Sequence, residues 1–172
     1  MSYWTSLEIT TKRNYFEPAR TNLGYIEIFN IAGSNENIVL SCQTTSLPNL
    51  SNEEIEMPFG NDRGWVAGKR SNEAVTVSFV DYINTNIAAI LEAWQISVYD
   101  PRTGQLGFAV NYKKRAVISQ LQPDGTVLRT WTCNGVWPQT INFGAIDQSG
   151  NDRVLIECTL RVDQCIPDFI GA

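Results

Sequence analysis

From Ala74 to Val98 the chain reads AVTVSFVDYINTNIAAILEAWQISV, and its apolar period changes halfway. Over Ala74–Asp81 the apolar residues alternate, so Val75, Val77 and Phe79 share one face, as in a strand half-buried on a core. Past Asp81 the spacing turns helical: Ile87, Ile90, Leu91, Trp94 and Val98 fall at i, i+3, i+4, i+7 and i+11, one stripe of a helix. Asn84 or Thr85 can cap the first turn by accepting from its free N–H groups. Asp100-Pro101 ends the helix, and Gly104 and Gly107 belong to the return. An amphipathic helix among strands must lay its stripe against the sheet core.

Outward from this stretch the chain reads as strand. Leu23–Ile31 (LGYIEIFNI) is one, stopped by Gly33-Ser34-Asn35, and Ile38–Thr45 is the next, closed by Leu47-Pro48. Lys114–Leu121 and Thr126–Cys133 flank Gln122-Pro123-Asp124-Gly125, a turn whose Pro and Gly supply the required dihedrals. Gly135-Val136-Trp137-Pro138 kinks the chain, Gln139–Gly144 continues extended, Asp147–Asp152 turns, and Arg153–Asp163 is the last strand. The pattern predicts about seven to nine strands and one helix, a β-sandwich or barrel-like subunit. Between them Asn49–Asn72 is polar and glycine-rich. It predicts an arm of two short extended pieces, Glu54–Phe59 and Gly64–Gly68, with a loose tip. Excursions of this length inside small domains tend to be functional or mobile.

The 172 residues predict a single domain, 1–172, with an N-terminal extension over 1–20 and a C-terminal tail over 164–172. Thirteen Lys and Arg stand against 18 Asp and Glu, a net charge of −5. That balance disfavours a grip on phosphates or on an anionic membrane. The amino end lacks the basic start and apolar block of a signal peptide, and no apolar run is long enough to span a bilayer, which predicts folding in a cytoplasm. There is no histidine, so neither a Ser-His-Asp triad nor a His-ligated zinc site can arise within the chain.

The remaining chemistry is sparse. Cys42, Cys133, Cys158 and Cys165 make no CxxC. Cys158 shares a strand face with Val154, Ile156, Leu160 and Val162 and is expected to be buried. Cys165, after the last predicted strand, is expected to be exposed, and Cys42 or Cys165 is a candidate for a disulfide between copies. Glu53, Glu54 and Glu56 crowd one stretch of the arm, where catalytic carboxylates facing each other across a cleft are not expected. Asp147–Asp152 lacks the ligand count and terminal Glu of a calcium loop, and Asp100–Gly104 lacks a phosphate-cradle pattern. Lys113-Lys114-Arg115 is the densest basic patch. Neither catalytic residues nor a cofactor are expected. A strand-rich chain leaves sheet edges that pair with other chains unless blocked, so the residues point to self-association.

The ordered set Ser46-Leu-Pro, Glu53-Glu-Ile-Glu-Met-Pro-Phe, Trp65-Val-Ala-Gly and Val75-Thr-Val-Ser-Phe resembles the tail tube proteins of contractile-tailed bacteriophages. The likeness continues through the helix NTNIAAILEAWQ, the strand Ala116-Val-Ile-Ser-Gln-Leu, the Asp124-Gly125 hairpin, Leu128-Arg-Thr-Trp-Thr and the Gly135-Val-Trp-Pro kink. It runs from about Cys42 to Asp163. Departures lie in the first 20 residues, the Asn61–Gly64 tip and the tail with Cys165.

The resemblance implies a structural virion protein. Its inner strands would form one continuous barrel in a hexameric ring, and rings would stack into the inner tube of a contractile tail. Genomic DNA and a tape-measure protein would occupy the lumen without tight binding, a sheath protein would surround the tube, and no membrane would be involved. The arm over 49–72 would reach the adjacent ring, with Glu53, Glu54, Glu56, Asp62 and Arg63 as contact candidates and Lys69 and Arg70 as counter-charges. A different reading is a carbohydrate-binding β-sandwich with Trp65, Trp131 and Trp137 as stacking platforms. A carboxylate-only glycosidase is the enzyme rival.

Overall fold

A computed structural model describes residues 18–31 and 35–169. The expected stop at Gly33-Ser34, most of the N-terminal extension and the last residues of the C-terminal tail lie outside these. In chain order the elements are β1 (Gly24–Ile28), α1 (Asn35–Ser41), β2 (Cys42–Thr45), β3 (Leu50–Phe59), β4 (Asp62–Asn72), β5 (Val75–Val80), α2 (Ile87–Val98) and two-residue strands β6 (Tyr99–Asp100) and β7 (Gln105–Leu106). There follow α3 (Ala109–Tyr112), β8 (Lys114–Leu121), β9 (Val127–Asn142), β10 (Leu155–Arg161) and β11 (Gln164–Asp168).

The fold is mainly β, as the alternating patterns require. Its antiparallel strands run β1-β8-β9-β10-β5-β2, with β11 also on β9. The long β9 serves two sheets: its first part lies between β8 and β11, and its second pairs with β10. The handover occurs at the expected kink. Burial along β9 switches there from odd positions, Trp131 and Cys133, to even ones, Val136 and Pro138. A β-bulge does this by inserting one residue: Lys114 pairs with Val136, while Ala116 already pairs with Cys133. Gly135 takes the left-handed φ of 66° that the bulge needs. A Cβ there would also stand 2.3 Å from an Asp163 carboxylate oxygen.

Inward-facing residues of both sheets make one apolar cluster: Ile26, Ile28, Ile118, Cys133 and Val136 with Val75, Val77, Phe79, Ile156, Cys158 and Leu160. The α2 stripe closes it, with Ile87, Leu91 and Trp94 buried as their spacing dictates. The Trp94 indole N–H, costly to bury alone, donates to the Tyr112 carbonyl at 2.7 Å. Its cap differs from expectation. Asn86, in a left-handed conformation, accepts from the Ala89 N–H, whereas Thr85 donates its hydroxyl to Tyr82 O.

Other expectations are corrected. Ile38–Thr45 is not one strand: its first half is the end of α1, with Ile38 and Ser41 on the buried side, and only Cys42–Thr45 pairs with β5. A four-residue apolar run cannot by itself separate the two periods. Three helices and eleven strands are present among the described residues in place of one helix and seven to nine strands. The tail beyond Asp163 is largely a strand. Being at an edge, β11 tolerates Pro167, whose missing N–H can face away from the ladder. That pairing buries Cys165, only 1% exposed, against the expectation of an exposed thiol.

Candidate assembly surface

The arm is a hairpin whose strands are longer than its sequence suggested, with one shift of register between Asn52 and Glu54. β3 and β4 form a separate two-stranded sheet, registered from Leu50–Asn72 to Phe59–Asp62. The tip is tight, not loose: two residues, Gly60 and Asn61, join the strands, and Gly60 has the positive φ of 62° such turns demand. Ten residues of β3 at about 3.3 Å each give a reach of roughly 33 Å. Every residue of β3 is exposed.

Side-chain alternation gives the arm two unlike faces. Register places Glu54, Glu56 and Pro58 with Ala67, Trp65 and Arg63 on one, and Ile55, Met57 and Phe59 with Val66, Gly64 and Asp62 on the other. The charged face holds an Arg63 Nε–Glu56 Oε1 pair at 3.2 Å, too solvated to stabilise much. The apolar face is uncovered, with Phe59 64% exposed. Its two glycines are seats for neighbours. A Cβ on Gly64 would meet the Phe59 ring at 3.2 Å, and one on Gly68 would meet Ile55 at 3.3 Å.

The foot of the arm is fixed to the body. Arg70 Nη2 donates to the Cys165 carbonyl at 3.0 Å and Asn72 Nδ2 to the Asp163 carbonyl at 2.8 Å. Asn49 Nδ2 donates to Glu73 Oε2 at 2.9 Å. Asp163 is itself held by Lys113, at 2.5 Å. Arg70 is thus engaged within the subunit, which is at odds with its expected part as an inter-ring counter-charge. Glu53, Glu54, Asp62 and Lys69 stand exposed along the same hairpin. The sequence points to these charges; Ile55, Met57, Phe59 and Val66 emerge as a shared face only from the register. Part of the signal was present in Glu54-Ile-Glu-Met57, whose alternation marks a strand with two different faces.

A second uncovered apolar patch lies around α3, where Leu106, Phe108 and Val110 are each more than three-quarters exposed. The sheet path ends in β1 and β2, separated by an open groove of about 410 Å³ lined by Tyr25, Cys42, Thr44, Leu47 and Ser119. Cys42 is half-buried there; burial pushes its thiol up to about 11, so it is a poor nucleophile.

The three tryptophans do not make a platform. Trp131 is buried in the core cluster against Phe169, Trp137 packs edge-on to Tyr112, and only Trp65 is exposed. Lys113 and Arg115 are likewise occupied, the first by Asp163 and the second over the Phe29 ring. The Asp100–Gly104 and Asp147–Asp152 loops are closed on themselves: Asp100 accepts from Arg102 N and Thr103 Oγ1, and Asp147 from Ser149 N and Oγ. Among the described residues no helix is long and apolar enough to cross a membrane.

No family model matches the chain. It is 27% identical over 139 residues to the tail tube protein of Serratia phage KSP90, covering 80% of this chain and 78% of that one. To the tail tube protein gp19 of Enterobacteria phage T4 it is 28% identical over 149 residues, covering 84% and 89%. Among solved structures, a chain of the PVC sheath–tube complex, an extracellular contractile injection system in its extended state, superposes with a TM-score of 0.70. That match has 19% identity and covers 98% of this chain and 100% of the other. The chain is thus similar over most of its length to the tail tube proteins of these phages, and it shares its mainly β fold with a chain of a contractile injection system.

Proposed function

We propose that this chain is the repeating subunit of a phage inner tail tube: hexameric rings, stacked coaxially, that serve as the conduit for DNA and a tape-measure protein inside a contractile sheath. The observation that carries it is the arm. A two-stranded hairpin is marginal in water unless something packs on it, yet this one presents a largely apolar face, Ile55, Met57, Phe59 and Val66, that its own subunit leaves bare. Similarity to tail tube proteins supports another copy of the same molecule as the partner.

In this reading the arm over 49–72 reaches the adjacent ring. Ile55, Met57, Phe59 and Val66 bury on the neighbour, while Glu53, Glu54, Glu56, Asp62, Arg63 and Lys69 set orientation. Charge complementarity sets register and encounter more than affinity. Within a ring, the open edges of β1 and β2 take up strands of neighbouring copies, and a head-to-tail contact whose rotation closes leaves few edges unpaired. The lumen works by not binding. A surface poor in Lys and Arg releases few counterions from DNA and lets it slide. The chain takes its place in the virion tail, assembled before release from the host.

Electron microscopy of the purified protein tests this. Rings or tubes with countable sixfold symmetry are expected, and solitary globules in every condition would overturn it. A lumen potential that maps as clearly positive would overturn the conduit mechanism alone.

A further inference from the structure

Cys133 and Cys165 are register partners across β9 and β11, and their sulfurs lie 3.7 Å apart. Directly opposed residues of an antiparallel pair have Cα atoms about 4.5–5.5 Å apart, within the roughly 4.4–6.8 Å a disulfide spans. Closing a bond here brings the sulfurs from 3.7 Å to about 2.0 Å. Both thiols are buried, 1% exposed.

The two sulfurs are unequal. Burial pushes the Cys133 thiol up to about 12, and its S–H donates to Cys165. Burial raises Cys165 as well, but the bond from Cys133 and the positive Arg70 guanidinium nearby both act to lower it. Of the pair, Cys165 is the one beside groups that favour its thiolate, although burial raises its own thiol too. Cys158 sits alone in the core, and Cys42 donates to the Thr44 carbonyl.

We propose that Cys133 and Cys165 are an oxidisable pair that closes to an intrachain disulfide between β9 and β11 on exposure to a peroxide. The Cys165 thiolate sulfur attacks one peroxide oxygen and the O–O bond breaks. With a proton taken up by the departing hydroxide, this leaves a sulfenic acid and one water. Cys133, giving up its proton, then displaces the hydroxyl from that sulfur as the second water. Two thiols have lost two electrons between them, and one peroxide has become two waters. The new bond ties edge strand β11 to the centre of the fold. It thereby fixes the carbonyls of Asp163 and Cys165, on which Asn72 and Arg70 anchor the arm. The pair replaces the expected role of Cys165 in a disulfide between copies, and it stands on subunit geometry alone, whether or not the protein forms tubes.

The test is hydrogen peroxide added to the full-length protein, followed by alkylation in denaturant and peptide mapping. Free thiols should fall from four to two per chain, with a peptide joining Cys133 to Cys165 that reductant cleaves. Cys42 and Cys158 should remain alkylated. In a Cys133→Ala variant the link should vanish and a sulfenic-acid trap should label Cys165. Recovery of both cysteines as alkylated thiols, over-oxidation of Cys165 without a link, or a Cys165 disulfide to another copy would each overturn the proposal. Should the variant not fold, the map of the wild-type chain decides alone.

Discussion

Two hairpins of this chain, β3–β4 and β8–β9, are built alike and placed oppositely. Each is an antiparallel pair with alternating apolar residues, closed by a turn that uses a left-handed glycine, Gly60 in one and Gly125 in the other. In β8–β9 the alternating residues Ala116, Ile118, Trp131 and Cys133 enter the core. In the arm Ile55, Met57, Phe59 and Val66 alternate as well and stay in water. Local chemistry formed both ladders, but only one finds its cover within the molecule. Alternation tells that a face will be covered, and it is silent on which molecule covers it. One hairpin therefore answers to folding and the other, in the proposed function, to assembly.

The comparison breaks most readily at the buried hairpin. Ile118→Ala should cost about 2–5 kcal/mol of subunit stability, because it removes buried methyl groups and leaves a cavity where the sheets meet. Urea unfolding checks it; a midpoint close to wild type would mean this face is not core. Next comes the bulge that lets β9 serve both sheets. Gly135→Ala places a Cβ in a left-handed conformation and against Asp163, so about 1–3 kcal/mol of strain is expected. Asp163 would have to swing off Lys113 to make room. A wild-type melt would show that the carboxylate moves at no cost.

At the arm the same kind of change should leave stability almost untouched. Ile55→Ser with Phe59→Ser removes exposed apolar surface, so unfolding should shift by no more than about 0.5 kcal/mol while rings or tubes are lost from micrographs. Glu54→Lys with Glu56→Lys, reversing the other face and stranding Arg63, should impair tube growth within the same stability margin. If either double variant unfolds as readily as Ile118→Ala, the arm belongs to the subunit's own core and the contrast between the hairpins fails.

Much of this division was legible in the chain itself. Val75, Val77 and Phe79, and the Ile87–Leu91–Trp94 stripe, declare their burial because a strict period leaves one geometry open. The Pro123-Asp124-Gly125 turn and the Gly135 kink were legible for the same reason, since their dihedrals select residues. What escaped was decided by distant partners. Ile38 could be strand or helix until β1 and β5 packed against α1, and the run is too short to choose. The tail became a strand only because β9 offered it an edge, which also hid Cys165. On the arm, the glutamates dominate the sequence by number, although the apolar residues between them carry the larger transfer energy.

The smallest expected effect concerns how the buried hairpin's turn is held. Asp124 accepts at 2.9 Å from the Thr126 N–H and at 2.7 Å from its hydroxyl, and the backbone bond, then the hydroxyl bond, draw its carboxyl below the usual carboxylate range. A folded-state value below the unfolded one, near 3.9, means the contribution is fully present above that pH and is lost as pH falls through the folded value. The carboxylate stands in solvent, where such bonds are heavily screened, so little stability is at stake. The sensitive readout is local: the Thr126 amide chemical shift should titrate with a midpoint below about 3.9, and Asp124→Asn should flatten the curve. A wild-type shift that stays level down to about pH 2 would mean Asp124 does not hold the turn. The two hairpins would then owe their closure to glycine dihedrals alone, leaving their cover as the one difference between them.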